Sequence, residues 1–174
     1  MERLYRKALI YTYAIFILAA PFSQVSMVHA PILPPRVKVE AGVDLRVGKL
    51  KSFLAKYNSP LTPYAGKFIA VADKYSLDWR LLPAIAGTES TFGLHYIPGT
   101  YNPFGWGGGK IYLGSWSNGI EAVGKGLWQN YYLKGKRNLT VEQVGDIYAV
   151  SPHWPRSVRR WMGRIGSYQL SAAK

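Results

Sequence analysis

Glu89 is the residue whose position in the sequence best suits acid–base chemistry. Leu82, Ile85 and Ala86 precede it by seven, four and three residues, a spacing that places all four on one face of a helix. Because that face is apolar, we expect it to be buried, and a carboxyl group among apolar neighbours has a raised pKa. A general acid needs such a pKa, since it must hold a proton near neutral pH and still release it. The alternative is a structural glutamate that accepts hydrogen bonds from the loop that follows.

The segment after Glu89 is rich in glycine and aromatic residues. Seven Gly and two Pro fall within residues 93–115, so we predict a loop with short strands at most. Sugars bind to aromatic ring faces and to uncovered backbone and amide groups, and this composition therefore suits a glycan cleft. The alternative is a turn whose aromatic rings pack into the core. Within the run 100–109 (TYNPFGWGGG), Trp106 is the candidate substrate-binding ring.

A second carboxylate is the weaker part of the predicted site. Glycoside hydrolysis usually employs one at about 5–5.5 Å from the acid as nucleophile, or at about 6.5–9.5 Å to activate water. Only Glu121, Glu142 and Asp146 follow Glu89 in the chain. Glu121 is the candidate, because it follows the glycine-rich segment, but Asn118 and Glu121 also have the spacing of a structural capping box. We expect Glu142 to be a first-turn helix charge and Asp146 to be exposed.

The elements that must position these residues are predicted to be helical. Threonine N-caps are expected at Thr62 and Thr140. Apolar periodicity predicts helices over 47–57, 63–75, 78–91, 118–133, 140–149 and 154–165. The predicted fold is mainly α, with one small glycine- and aromatic-rich loop or β lobe inserted after the helix that carries Glu89.

Four segments of the chain, taken in order, are similar to segments of known cell-wall enzymes. Residues 81–93 (LLPAIAGTESTFG) resemble the helix-ending segment of lysozyme-like peptidoglycan-cleaving enzymes. Residues 102–105 (NPFG) resemble the N-x-F-G motif of bacterial glucosaminidases. Residues 115–120 and 147–154 (IYAVSPHW) resemble a helix start and a tyrosine-containing segment of the same family. The chain thus resembles the endo-β-N-acetylglucosaminidase-like autolysins of the lysozyme-like superfamily over about residues 60–165.

That resemblance implies a lysozyme-like domain over residues 48–170 that cleaves the β-1,4-linked glycan strands of peptidoglycan. It implies the general-acid role for Glu89. It also implies substrate-cleft roles for Asn102, Phe104, Gly105 and Tyr148. The alternative for Tyr148 is a core tyrosine whose hydroxyl group is hydrogen-bonded.

Two single-carboxylate mechanisms stay open if no second acid reaches the site. The N-acetyl group of the substrate could act as nucleophile. Alternatively, a lytic transglycosylase would use Glu89 first as acid and then as base, and its product would close into an anhydro ring. A non-catalytic peptidoglycan-binding module is a further alternative, and a basic extracellular nucleic-acid binder is a third.

Composition limits the other partners that the chain could use. It has no Cys and no H-E-x-x-H pattern, so we expect no metal site and no cofactor. Twenty-two basic residues against nine acidic residues give a net charge of +13. We expect a monomer that binds no nucleic acid and adheres to an anionic cell-wall polymer or membrane surface. The predicted basic patch for that adhesion is Arg156, Arg159, Arg160 and Arg164.

The N-terminus has the pattern of an export segment. Basic residues precede the apolar run 8–21, and a small-x-small exit ends at Ala30. Residues 1–30 are therefore predicted to be a signal peptide or an uncleaved N-terminal anchor, and the proline-containing residues 31–47 a linker. The protein is expected to be secreted or to act in the cell envelope.

Overall fold

The computed structural model describes residues 44–132, 140–149 and 151–169, and this part of the chain is mainly helical. It contains six α-helices, and no β-strand occurs in those residues. The helices are α1 (Leu45–Lys56), α2 (Ala65–Lys74), α3 (Leu81–Ser90), α4 (Trp116–Tyr132), α5 (Val141–Tyr148) and α6 (Trp154–Ser167). Each begins and ends within three residues of a helix predicted from periodicity, so the mainly α class is confirmed.

The helix starts show how local sequence sets these bounds. The Asp44 carboxylate accepts a hydrogen bond from the Arg46 backbone N–H at 2.9 Å, and α1 begins directly after it. Helical structure therefore starts inside the segment predicted as linker over 31–47. Thr140 caps α5 as predicted, in a reciprocal capping box with Gln143. Thr62 does not cap α2: its hydroxyl group donates to the Ser59 carbonyl, in a 3₁₀ turn over Thr62–Tyr64.

Helix α3 is the central element of the described part. Its residues from Leu81 to Gly87 are all buried, and Ser90 is buried at its other end. A helix that is apolar on every side is stable only when neighbours surround it. Helix α6 packs most extensively against α3, and α2 and α4 also contact it. Helix α1 packs on α2, and α5 packs on α6. Together these helices bury the apolar core, and Glu89 is the only residue of α3 that is exposed.

The connection between α3 and α4, residues 91–115, contains turns and bends. All seven of its glycines have positive φ angles, which residues with a side chain rarely adopt. The connection is closed by a backbone hydrogen bond from Leu113 N–H to the Thr100 carbonyl at 2.8 Å.

The predicted export segment over 1–30 and most of the predicted linker lie outside the described residues. Of the helices in the described ranges, none is both long and apolar enough to cross a membrane.

Candidate active site

Glu89 lies in the last turn of α3, and its side chain is exposed. The prediction that Glu89 sits on a buried apolar face is therefore wrong. Apolar spacing normally separates a buried face of a helix from an exposed one, but α3 is buried on all sides until its last turn. The same spacing consequently could not locate the point at which the helix reaches the surface.

The two carboxylate oxygens of Glu89 have different neighbours. The Trp154 indole Nε1–H donates a hydrogen bond to Oε1 at 2.6 Å. The other oxygen, Oε2, lies against the backbone of Gly105, where an added Cβ would sit 2.5 Å from it. Gly105 has a φ of +63°. Trp154 therefore fixes one oxygen, and the missing side chain at Gly105 leaves room for the other.

The backbone directly after Glu89 adopts an uncommon conformation. Thr91 and Phe92 have φ angles of 50° and 59°, and a left-handed conformation is unusual for a β-branched threonine. The Ser90 hydroxyl group donates to the Pro103 carbonyl at 2.6 Å and accepts from Gly93 N–H at 2.9 Å. These bonds tie the end of α3 to the α3–α4 connection. Backbone strain of this kind persists where the surrounding structure enforces it, and it is frequent at functional sites.

Tyr148, the last residue of α5, joins the same site. Its hydroxyl group donates to the Phe104 carbonyl at 2.5 Å. Its ring stacks on Trp154, with the centroids 5.0 Å apart, and lies 5.5 Å from the Trp106 ring. Burial, together with the negative charge of Glu89, raises the pKa of Tyr148 well above its usual value. Tyr148 therefore stays a neutral phenol over the whole physiological pH range.

A pocket of about 390 Å³ opens beside these rings. Small-molecule sites commonly have volumes of about 300–1,000 Å³. The pocket combines aromatic rings, amide groups and glycine backbone that no side chain covers. Its lining residues are Gly105, Trp106, Gly107, Gly108, Leu127, Asn130 and Tyr148. The sequence-predicted residues Gly105, Trp106 and Tyr148 are thus brought together next to Glu89.

The side chains of Asn102 and Phe104, which were predicted to line the cleft, are buried within the described part of the chain. Asn102 is buried, and its amide group accepts from Trp106 N–H at 3.1 Å and donates to the Trp106 carbonyl at 2.8 Å. Phe104 is fully buried, with its ring 6.3 Å from that of Phe68 in the core. Neither side chain is open to a ligand in this conformation. They shape the α3–α4 connection, and Phe104 contributes to the site only through its carbonyl group.

Glu121 is engaged in ion pairs at the α2–α4 contact. Its two oxygens accept from Lys67 Nζ and Lys74 Nζ, each at 2.6 Å, and Oε1 also accepts from the Tyr75 hydroxyl group at 2.8 Å. The hydrogen bonds from Lys67, Lys74 and Tyr75 lower the pKa of Glu121 to about 2. Neither Glu121 nor any of these partners lines the pocket, so the structure does not bring Glu121 together with the pocket residues.

The predicted capping box is also absent at Glu121. Helix α4 begins at Trp116, which places Asn118 inside the helix. The residue that caps it is Ser115, whose hydroxyl oxygen accepts a hydrogen bond from Asn118 N–H at 3.1 Å. The capping-box interpretation of Glu121 is therefore wrong, and its carboxylate takes part in an interhelical ion-pair network instead.

The remaining acids after Glu89 are also accounted for. Glu142 lies in the first turn of α5, as predicted, and is ion-paired with Arg159. Asp146 is exposed on α5. It precedes Tyr148 by two residues, about 200° around the helix, so it projects to another side. No group of three or more potential metal ligands occurs in the described ranges.

Sequence reasoning missed three contributors to the site. Trp154 appeared only as part of a family-like segment, because its contact with Glu89 spans 65 residues of sequence. Leu127 and Asn130 come from α4, whose Gly126 lies against the Trp106 ring. That glycine was the available signal, since a small residue on the inner side of a helix often marks the close approach of a large neighbour.

No protein-family model matches this chain, and a search of curated proteins finds no match.

Proposed function

We propose that the protein is an exported enzyme that cleaves β-1,4 glycosidic bonds in the glycan strands of peptidoglycan, with Glu89 as the general acid. The bond cleaved would be of the N-acetylglucosaminidase type, as the sequence resemblance implies. The fold supports the proposal in its mainly helical character. The site supports it by the grouping of one carboxylate with aromatic rings around a pocket.

One observation carries the proposal: Glu89 differs from the other carboxylates of this basic chain. Five of the seven acidic residues in the described ranges are ion-paired with Lys or Arg, and these are Asp44, Asp73, Asp78, Glu121 and Glu142. Asp146 is exposed and projects away from Tyr148. Glu89 instead accepts a hydrogen bond from a neutral indole, next to the pocket. A salt bridge holds a carboxylate in its charged form, which makes the paired acids less suited to donate a proton.

The geometry suggests how the proton is delivered. Oε1 is occupied by the Trp154 N–H, so Oε2 is the oxygen that carries the proton to the glycosidic oxygen. Trp106 and Tyr148 present aromatic surface to the sugar rings. The Tyr148 hydroxyl group stays protonated and holds the Phe104 carbonyl, which keeps the adjacent Gly105 beside Glu89.

The identity of the nucleophile depends on whether a second carboxylate is available beside Glu89. Because Glu121 and Glu142 are ion-paired, a two-carboxylate hydrolysis has no evident second group in the described ranges. The proposal therefore favours a mechanism in which the substrate supplies the nucleophile. In a transglycosylase, Glu89 would deprotonate a sugar hydroxyl group that closes the anhydro ring. In substrate-assisted hydrolysis, the N-acetyl oxygen would attack the anomeric carbon.

The decisive test replaces Glu89 and compares it with a matched carboxylate. Glu89→Gln should abolish the release of soluble fragments from purified peptidoglycan, and circular dichroism should show an unchanged helical content. Glu121→Gln, the same chemical change at the α2–α4 contact, should retain activity at neutral pH. Full activity of Glu89→Gln would refute the assignment, and an inactive wild-type protein that pellets with peptidoglycan would indicate a binding module.

Mass spectrometry of the products distinguishes the bonds and mechanisms. New reducing N-acetylglucosamine ends would support the glucosaminidase type. Reducing N-acetylmuramic acid ends would indicate a muramidase. Anhydro-N-acetylmuramic acid would indicate a lytic transglycosylase instead of the proposed glucosaminidase.

A further inference from the structure

Helix α6 carries a row of exposed arginines on the side away from the core. Arg156, Arg160 and Arg164 repeat every four residues, so they lie along one side of the helix, and we name them the arginine stripe. Like charges at this spacing destabilise a helix. Arg159 is not part of the stripe, because it is ion-paired with Glu142. Repulsion among the three arginines therefore lowers the stability of α6, and an anionic partner would offset that repulsion.

Gly163, near the C-terminal end of this helix, is a second feature that suggests an external partner. A Cβ at Gly163 would have no heavy atom within 4 Å, so packing within the described residues does not require glycine there. Glycine destabilises a helix relative to alanine. It also leaves the α6 backbone open to close approach between Arg160 and Arg164.

The stripe ends at a second pocket, which we name the end groove. Its volume is about 440 Å³, and it lies where the C-terminal ends of α1 and α6 meet. Its lining includes two cations, Lys56 and Arg164, and the aromatic residues Phe53, Tyr57 and Tyr168. The Arg164 guanidinium lies 5.0 Å from the centre of the Trp161 ring. This contact holds one cation of the groove in place.

The end groove is distinct from the Glu89 site. Trp154, the partner of Glu89, is the first residue of α6, and Ser167 of the groove is its last. Thirteen residues separate them, which corresponds to about 20 Å along a helix.

From these features we infer that the arginine stripe and the end groove together bind a linear phosphodiester polymer, such as one built from glycerol or sugar phosphates. Arginine suits this ligand because its planar guanidinium group forms paired hydrogen bonds with phosphate oxygens. The row of cations matches a chain of repeated anions, and the groove can take up one polyol or sugar unit between them.

A membrane surface fits these features less well. Peripheral helices place exposed apolar side chains beside their basic residues, so that the apolar groups enter the lipid. The large apolar side chains that are exposed in the described ranges are Leu45, Leu94, Ile97, Ile111 and Tyr112. None belongs to α6 or lines the end groove. A flexible polymer needs no such insertion.

The test measures binding of fluorescein-labelled poly(glycerol phosphate) by fluorescence anisotropy over a salt series. Two double variants remove two charges each: Arg156→Gln with Arg160→Gln in the stripe, and Lys56→Gln with Arg164→Gln in the groove. The matched control is Lys51→Gln with Lys125→Gln, both exposed and outside the two surfaces. Each site variant should lose about tenfold or more in affinity, and the salt slope should fall by about 1.4, as expected for two phosphate contacts on a flexible strand.

The control variant should bind within about threefold of the wild type. Glu89→Gln should bind the polymer as the wild type does, which separates this inference from the proposed catalytic function. An equal loss in the control pair would overturn the inference, since binding would then follow net charge alone. Tighter binding to phosphatidylglycerol vesicles at equal phosphate, with the same dependence on the stripe and groove, would overturn it in favour of a membrane.

Discussion

Gly105 is the residue at which backbone conformation and the candidate chemistry depend on each other. Its φ of +63° disfavours any side chain, and a Cβ there would lie 2.5 Å from Glu89 Oε2. We expect Gly105→Ala to displace the carboxylate, and a displacement of about 1 Å can reduce catalysis about 100-fold. Peptidoglycan turnover and thermal unfolding, measured on the same preparation, separate the two effects.

Gly99→Ala is the control for Gly105→Ala. Gly99 has a φ of +83° in the same connection, but a Cβ there would meet nothing within 4 Å. Both variants should lose about 1–2 kcal/mol of stability from the left-handed backbone. Only Gly105→Ala should lose activity. Equal loss of activity in both variants would mean that loop conformation, and not the contact with Glu89, limits turnover.

Trp154 acts on Glu89 through a single hydrogen bond, and this can be tested without removing the aromatic ring. Trp154→Phe keeps a ring beside Tyr148 but removes the N–H that holds Oε1 at 2.6 Å. Because a freed carboxylate samples unproductive rotamers, we expect turnover to fall about 10- to 100-fold with little change in substrate affinity. Trp161→Phe, on the same helix, controls for the loss of an indole. An unchanged turnover number in Trp154→Phe would remove Trp154 from the site.

At the scale of the elements, the ion pairs of Glu121 join α2 to α4 and should make stability depend on pH. Lys67, Lys74 and Tyr75 lower the pKa of Glu121 from its ordinary value near 4.5 to about 2. A carboxylate with a lowered pKa in the folded state stabilises the fold above its unfolded pKa and loses that contribution as the pH falls through the folded pKa. Glu121→Gln should therefore melt at a lower temperature than the wild type at about pH 7, and the difference should disappear near about pH 2.

Asp146→Asn is the matched control for this pH dependence. Asp146 is exposed, so the melting temperature of the Asp146→Asn variant should follow that of the wild type over the whole pH range. Added salt should reduce the effect of Glu121→Gln, because Lys74 is largely exposed and its attraction to the carboxylate is screened. A constant difference between Glu121→Gln and the wild type at all pH values would point to packing as the cause.

The elements themselves were predictable, because helix periodicity and capping are local properties of the sequence. Thr140 caps α5 as predicted, and the glycines of residues 93–115 predict the α3–α4 connection. The exposure of Glu89 was not predictable, since it depends on which helices surround α3. The Trp154 contact and the burial of Asn102 depend likewise on how distant segments pack. Sequence spacing singles out Glu89 as a candidate but does not predict its surroundings.

At the scale of the whole molecule, the charge imbalance has two separable consequences. The chain has 22 basic and nine acidic residues, and in the described ranges most carboxylates are paired with a cation. Glu89 differs from these carboxylates because its partner is the Trp154 indole, and the catalytic proposal rests on this difference. The arginine stripe on α6 belongs to the unneutralised excess, and it carries the polymer proposal. The first consequence concerns proton transfer by Glu89, and the second concerns the proposed binding of an anionic polymer.

The net charge of +13 should make cleavage depend on salt only when the substrate is itself charged. Peptidoglycan carries carboxylates on its peptides, so the cationic protein is attracted to it, and salt screens that attraction over a Debye length of about 10 Å at about 0.1 M. We expect cleavage of peptidoglycan at low substrate concentration to fall about tenfold or more as salt rises to about 0.5 M. Cleavage of a neutral N-acetylglucosamine oligomer should change little, because proton transfer within the Glu89 site involves no long-range steering. If both substrates lost activity in parallel, salt would be acting on the site or the fold, and the charge of the molecule would have no separate role in bringing substrate to the enzyme.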